Sequence, residues 1–384
     1  MNNDIPPDRP VTVVAEQTKI ATKSERLMSL DALRGFDMFW IVGGDVLVES
    51  LRKVSDHPVI QELGRQMGHV SWRGFHFEDL IFPMFVFIVG ASLVFSLGRT
   101  IEQHGRGQAV LRIFRRALLM YLLGVFYYGG FSTPFARIRL LGVLQRIAIC
   151  YFFAGLIFCY FEQRGRIVWC ASLLIGYWLV MTFIPAPGGV AGDFAEGHNL
   201  ANWVDKEYLP LRKWDGDHDP EGLLSTLPAI ANCLIGVFAG VLLRNPNRAN
   251  WKKVLYLAIA GIVLASLGWA WDLQFPVIKK IWTSSFVLVA CGYSLLFLAL
   301  FHLVIEAWGW RSWAKPFVWI GMNPITLYML DNLVDIEKIA KRLVGGELNG
   351  YFGVYGHLAV AVVEMLIIFA VARFLYVRKI FLRL

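Results

Sequence analysis

The feature that most constrains this chain is a succession of apolar blocks, each roughly 17–25 residues long, about the length a helix needs to cross a ~30 Å hydrocarbon layer. Backbone amides in lipid must bond within their own segment, so each block reads as a helix. Ten spans are expected, at 33–50, 80–98, 117–131, 141–161, 167–185, 223–243, 254–272, 282–306, 316–334 and 358–376. The fold class is therefore all-α, a polytopic membrane helix bundle. Composition agrees, with 57% hydrophobic and 17% charged residues against about 45–50% and 25% in a soluble domain. An ordinary soluble enzyme is excluded. The net charge of +8 sits in short loops between the blocks, which speaks for membrane orientation and not for nucleic-acid binding.

Alternate loops differ in charge. With the N-terminus inside, the inner segments hold 21 Lys and Arg and the outer ones 14, while acidic residues divide 6 inside against 15 outside. The positive-inside rule then predicts both termini in the cytoplasm and an even number of spans. Residues 1–28 carry balanced charge and several prolines, lack the apolar core of a signal peptide, and read as a disordered cytoplasmic tail. Residues 29–384 form one membrane domain. Its outer loop over 186–222 is too long for a simple connection and is expected to be a partly structured lid or binding loop. The stretch 51–70 is amphipathic and suits the outer interface. The five cysteines lie in or beside apolar blocks with neither disulfide nor zinc spacing and read as small core residues; no metal is expected, with His198, His218 and the acids of the outer loop as the alternative ligands.

Ionisable groups inside the hydrocarbon region cost at least about 2.5–3.5 kcal/mol each on insertion scales, so each asks for a partner or a task. Asp31 and Arg34 lie three residues apart on one helix face, either a self-neutralising pair or an Arg held for an anionic ligand. His69, Trp72 and Arg73, followed by Glu78, Asp79 and Pro83, cluster at the outer mouth of the second span. Imidazole titrates near neutrality, which makes His69 a candidate proton-transfer residue with His76 as its competitor. Gln145 and Arg146 open the fourth span, where Arg146 either serves a site or snorkels to the interface. Lys279, Lys280, Trp282, Ser284 and Ser285 lead into the eighth span, and Asn323 and Asp331 fall in the ninth. Aromatic-belt anchoring accounts for Trp282 alone, and Gly321-Met322-Asn323-Pro324 reads as a helix kink.

In order along the chain, RLMSLDALRGFDMF (26–39), HVSWRGFHFEDLIFPMFVFIVGAS (69–92), GVLQRIAICY (142–151), DPEGLLSTLPAI (219–230), KKIWTSSFV (279–287) and GMNPITLY (321–328) resemble the transmembrane acyltransferase family typified by heparan-α-glucosaminide N-acetyltransferase. The resemblance implies transfer of an acetyl group from cytoplasmic acetyl-CoA to an amino sugar or a glycan hydroxyl across the membrane. It makes the histidine of the H-x-x-W-x-G block, His69, the catalytic residue, as base or as transiently acetylated relay. It also turns Arg34, Gln145 and Arg146 into candidates for the CoA channel, with Lys279, Ser285 and Asn323 as further donor-side positions. Three departures fall on the acceptor side. Where the family has an Asn after the RG of the first span this chain has Asp45, the Asn after the family Trp is Arg73, and the stretch between Asp45 and His69 is longer than the family's by roughly a dozen residues.

Asp45 is accordingly assigned to orient His69, with Asp79 as the alternative. Trp72 and Trp282 would wall the sugar or pantetheine, and Asp219 and Glu221 of the outer loop would bind the acceptor. A bacterial inner membrane is the expected location. Oligomeric state is open, with a homodimer as one candidate. The rival class is a transporter or flippase for a sugar or lipid-linked sugar, in which the same polar residues form a pathway.

Overall fold

The computed structural model describes residues 27–382, so residues 1–26 of the expected tail lie outside the described residues. Those described are all helical, with no strand among them and only the isolated bridges Arg73–Ile278 and Lys213–Gly216. The helices are α1 Met28–Phe39, α2 Asp45–Val54, α3 Pro58–Gln66, α4 Phe77–Tyr127, α5 Val143–Tyr160, α6 Gln163–Phe183, α7 Leu200–Tyr208, α8 Thr226–Arg244, α9 Asn250–Trp271, α10 Ser284–His302, α11 Lys315–Gly321, α12 Pro324–Leu333, α13 Ile336–Val344, α14 Glu347–Phe352 and α15 Gly356–Val377. Among the described residues, seven helices are long and apolar enough to cross a membrane, and their burial sorts them. The most apolar stretch of α8 is 78% buried and those of α6 and α9 only 22%. Helices α4, α5, α8 and α10 therefore make the centre, and α6 and α9 the rim.

The 51 residues of α4 would measure about 77 Å if straight, far beyond one bilayer. Gly105, at φ 80°, breaks the run. Arg112 donates to the Thr100 hydroxyl at 2.9 Å, whereas twelve residues of straight helix span about 18 Å, so the chain doubles back at Gly105. This one element thus contains the apolar block 80–98 and the block 117–131 as far as Tyr127. The blocks 33–50 and 316–334 are not long helices. The first is interrupted by a π-helical turn, Trp40–Gly44, in which Gly43 takes φ 136°, and the second divides into α11 and α12 around Met322 and Asn323. Broken backbone inside a bundle is tolerated where neighbouring protein or a cavity meets it.

The α4–α8 crossing depends at two points on hydrogen in place of a side chain. A Cβ on Gly90 of α4 would land on the Cys233 carbonyl of α8, and one on Gly236 would land on the Phe87 carbonyl of α4. Asn232 of α8 donates to the Pro83 carbonyl of α4 at 2.9 Å beside this contact. Small residues let helices approach closely in lipid, where no hydrophobic force drives them together. Gly236→Ala is expected to cost about 1–3 kcal/mol through overpacking and Gly236→Val more, read as a lower melting temperature in detergent. Gly107→Ala, in open space, should leave that temperature unchanged. Equal melting of all three variants would contradict the close α4–α8 contact.

Beyond the bundle, segment 186–222 folds over its end on an apolar cluster of its own. Tyr177, Met181, Leu200, Ala201, Phe275, Ile278 and Ile281 are buried together, with Trp72 and Phe194 packed against them. Within it α7 starts at Asn199, whose side chain accepts from Asn202 N at 2.9 Å.

Candidate active site

A cavity of about 400 Å³ opens between the bundle and this outer segment. The π-helical turn brings Met38, Trp40, Ile41 and Asp45 to it, α4 and the turns before it bring His69, Trp72, Glu78, Asp79, Phe82 and Phe85, and Lys279 comes from the α9–α10 connection. Inserted turns of this kind re-aim side chains and recur at functional sites.

Asp79 organises the chemistry. It occupies the third position of α4, and its Oδ2 accepts from His76 N at 3.0 Å and Val70 N at 3.3 Å, which ties the preceding turn to the helix start. Its Oδ1 lies 3.0 Å from His69 Nδ1 and 3.3 Å from Lys279 Nζ. The Asp79 side chain is 1% exposed and that of His69 is 58% exposed, so a sheltered carboxylate holds an open imidazole. A carboxylate on Nδ1 fixes the proton there and leaves the lone pair on Nε2. Among the described residues no hydrogen bond occupies that nitrogen. Lys279 Nζ stands 3.1 Å from His69 Nδ1. Burial pushes the Lys279 ammonium below the usual lysine value, and Asp79 and Glu78 oppose it.

The assigned residues separate into those that meet at the cavity and those that do not. His69, Asp45, Asp79, Trp72, Glu221 and Lys279 line it. The carboxylate hydrogen-bonded to His69 is Asp79 and not Asp45, which reaches the cavity from the start of α2 and, among the described residues, acts on the ring through charge alone. Arg34 bonds to Asp31 at 3.1 Å, to the Gly321 carbonyl at 3.2 Å and to the Ser92 hydroxyl, clamping α1 to α4 and α11. Gln145 donates to the Arg139 carbonyl at 3.3 Å. Arg146, fully buried, donates to Ser225 Oγ at 2.5 Å and the Gly222 carbonyl at 3.2 Å, with its guanidinium 4.8 Å from the centre of the Trp282 ring. Trp282 is 1% exposed and packs on Phe82 and Phe286, so it is core beneath the site and not a wall of it. Ser285 bonds to Thr283 and the Pro276 carbonyl, and Asn323 is buried at the α11–α12 break. Trp72 does line the cavity and donates to the Phe194 carbonyl at 2.9 Å. Arg73 pairs with Asp272 at 2.9 Å.

Arg139 escaped the sequence reading. Its side chain, 5% exposed, forks onto Asp219 at 2.6 and 2.9 Å and onto Glu221 at 2.5 Å, between the rings of Tyr128 and Trp214 at 4.7 and 4.9 Å. Asp219 is therefore committed to Arg139 and to Trp214 N at 3.0 Å, while Glu221 shares Arg139 and also faces the cavity. Burial pushes the Glu221 carboxyl up, and Arg139 opposes the shift. The signal of Arg139 in the sequence is its place at the head of an apolar run, as for Arg146, but a loop arginine before a span also fits simple interfacial charge.

Comparison with known proteins bears on this geometry. The family model described as heparan-alpha-glucosaminide N-acetyltransferase, catalytic, matches residues 26–270. The human protein named heparan-alpha-glucosaminide N-acetyltransferase is 28% identical over 320 residues, covering 68% of this chain and 48% of that protein. The mouse protein of the same name is 27% identical over the same shares. The chain spans about half the length of these curated relatives. The matched residues include His69, Asp79, Asp45, Arg139 and Glu221, and Lys279 lies beyond them. With the match running through most of the bundle and across the His69–Asp79 pair, the chain belongs to the heparan-alpha-glucosaminide N-acetyltransferase catalytic family.

Proposed function

We propose that the protein is a membrane acetyltransferase that takes the acetyl group of cytoplasmic acetyl-CoA and delivers it to an amino sugar or a glycan hydroxyl on the far side. The observation that carries this reading is His69, fixed through Nδ1 by a buried carboxylate and leaving Nε2 for the reaction. In direct transfer, Nε2 takes the proton of the acceptor N–H or O–H as that atom attacks the thioester carbonyl. The carbon–sulfur bond breaks, and the proton passes to the departing CoA thiolate. In the relay route, Nε2 attacks the thioester carbonyl and the carbon–sulfur bond breaks to release the CoA thiolate; the acceptor then attacks the acetyl carbon, the Nε2–acetyl bond breaks, and the acceptor's proton passes to the freed imidazole. Lys279 supplies positive charge beside the reacting carbonyl in either case. Asp45 and Glu221 face the acceptor, and Trp72 offers it an aromatic wall. Arg34, Gln145, Arg146, Ser285 and Asn323 shape the bundle around the donor route. Ten crossings with both termini in the cytoplasm, in a bacterial inner membrane, fit the charge distribution of the loops.

The test is purified protein in detergent with acetyl-CoA labelled in the acetyl group, incubated alone, with glucosamine and with N-acetylglucosamine. Transfer to glucosamine alone assigns N-acetylation, and transfer to both assigns hydroxyl chemistry. Thioester that stays intact in every mixture overturns the enzyme reading, and sugar movement across vesicles carrying the protein would then identify a transporter.

In the same assay Asp79→Asn is expected to lower turnover by about 10²-fold or more, because an amide can donate to Nδ1 and select the wrong tautomer. Asp45→Asn is expected to change the acceptor KM more than kcat. The reverse pattern would make Asp45 the residue that orients His69.

A further inference from the structure

The connection between α9 and α10 sends two consecutive lysines to opposite sides of the cavity rim. Lys279 turns inward to Asp79 and His69. Lys280 turns to the outer segment, its Nζ 2.7 Å from Glu196 Oε1 and 3.1 Å from Asp215 Oδ2. The backbone beside them is held from below. Tyr177 donates its hydroxyl to the Ile281 carbonyl at 2.6 Å, Ile278 N donates to Thr283 Oγ1 at 3.1 Å, and Trp282 takes φ 49° in the buried core. With its backbone fixed, Lys280 presents its ammonium to the outer segment from a set position on the rim.

Its surroundings form a hub. His218, 5% exposed, places Nε2 3.7 Å from Glu196 Oε1 and 3.9 Å from Asp215 Oδ2, and its Nδ1 lies 2.9 Å from Asp217. Lys280 Nζ is also 6.0 Å from the centre of the Trp72 ring, the ring that donates to the Phe194 carbonyl. Burial alone would lower the Lys280 ammonium, but Glu196 and Asp215 outweigh it and hold the charge. That ammonium supplies the positive charge the two carboxylates need, so the group is an ion-pair clamp. Asp215 and Lys280 both line the cavity, which puts the clamp at its mouth.

We propose that Lys280 is a positioning residue that clamps the outer segment 186–222 over the cavity and so completes the acceptor side of the site, while the donor side, His69 with Asp79 and Lys279, works without it. The acceptor half of this inference rests on the acetyltransferase reading. A group that only places a substrate contributes to its binding and leaves the reacting constellation intact. Lys280→Met is therefore expected to raise the acceptor KM about tenfold, measured with glucosamine or N-acetylglucosamine, whichever the wild type acetylates. The acetyl-CoA KM, and any cleavage without acceptor, should stay within about twofold. Lys280→Arg should restore the KM, since it keeps charge and reach. Asp215→Asn should act in the same direction, and the double variant should fall short of the product of the two effects, as partners in one ion pair do.

Hydrogen exchange reads the clamp without the reaction. Over 186–222, Lys280→Met is expected to exchange faster than wild type, and Lys280→Arg at the wild-type rate. Unchanged exchange overturns the clamp. Faster exchange with an unchanged acceptor KM overturns its assignment to the acceptor, and donor cleavage that falls in step with transfer overturns the separation of the two sides. If the wild type releases no CoA from acetyl-CoA with either sugar or without them, the acetyltransferase reading fails and the acceptor claim fails with it, while exchange still decides the clamp.

Discussion

His69→Ala is expected to lower the rate of CoA release from acetyl-CoA in the presence of acceptor by on the order of 10³-fold, with almost no change in melting temperature. The two halves of that expectation rest on different observations. The loss follows from removing the one ring nitrogen that Asp79 leaves available at the cavity. The retained fold follows from exposure, because the His69 side chain is 58% open. Asp79 also keeps three donors, namely Val70 N, His76 N and Lys279. His76→Ala is the control. Its ring bonds to the Gly68 carbonyl at 2.7 Å and stands 3.3 Å from Arg65, an exposed structural pair, so its effect should stay within about tenfold. Label retained by wild type without acceptor and absent from His69→Ala would establish the relay route. Matching rates for wild type and His69→Ala would remove His69 from the mechanism.

Why His69 stood out in the sequence as a candidate, while the choice between Asp45 and Asp79 as its partner did not, is a matter of local backbone geometry. The His-x-x-Trp-x-Gly block and the apolar helix after it are local, so the pairing of a loop histidine with a helix start is visible as adjacency. Which carboxylate reaches the ring depends on the third residue of α4 turning back to cap its own N-terminus, a local geometry that also carries Asp79 to His69. Asp45 needed a further event, the π-helical turn at Trp40–Gly44, and that turn aims it into the cavity without a bond to the ring. The long apolar runs were legible because lipid leaves helix as the available backbone solution. The reversal at Gly105 and the breaks at Gly43 and Met322–Asn323 depend on what packs beside them. Trp282 shows the same limit. Its place in sequence suits an interfacial anchor, and the left-handed backbone there turns it into the core under Arg146.

Arg139→Met is expected to be the most destabilising single substitution around the outer segment, costing about 3–5 kcal/mol, because it strands two carboxylates that, among the described residues, both form their ion pairs with this guanidinium. The side chains of Arg139 and Asp219 are 5% and 0% exposed and that of Glu221 10%, so water cannot replace the lost charge. The melting temperature in detergent should fall by on the order of 10 °C. Arg139→Lys should recover only part, since an ammonium cannot span both carboxylates as the guanidinium fork does. Adding Asp219→Asn and Glu221→Gln to Arg139→Met should recover much of the loss, because the penalty comes from unpaired charge more than from lost attraction. That pattern would place the Arg139 group as the base on which the acceptor wall stands, with Glu221 left to face the cavity while Asp219 is held in the pair. If Arg139→Met melts with wild type, the outer segment is held instead by its apolar cluster and the Lys280 clamp, and Glu221 is free to act on substrate by itself.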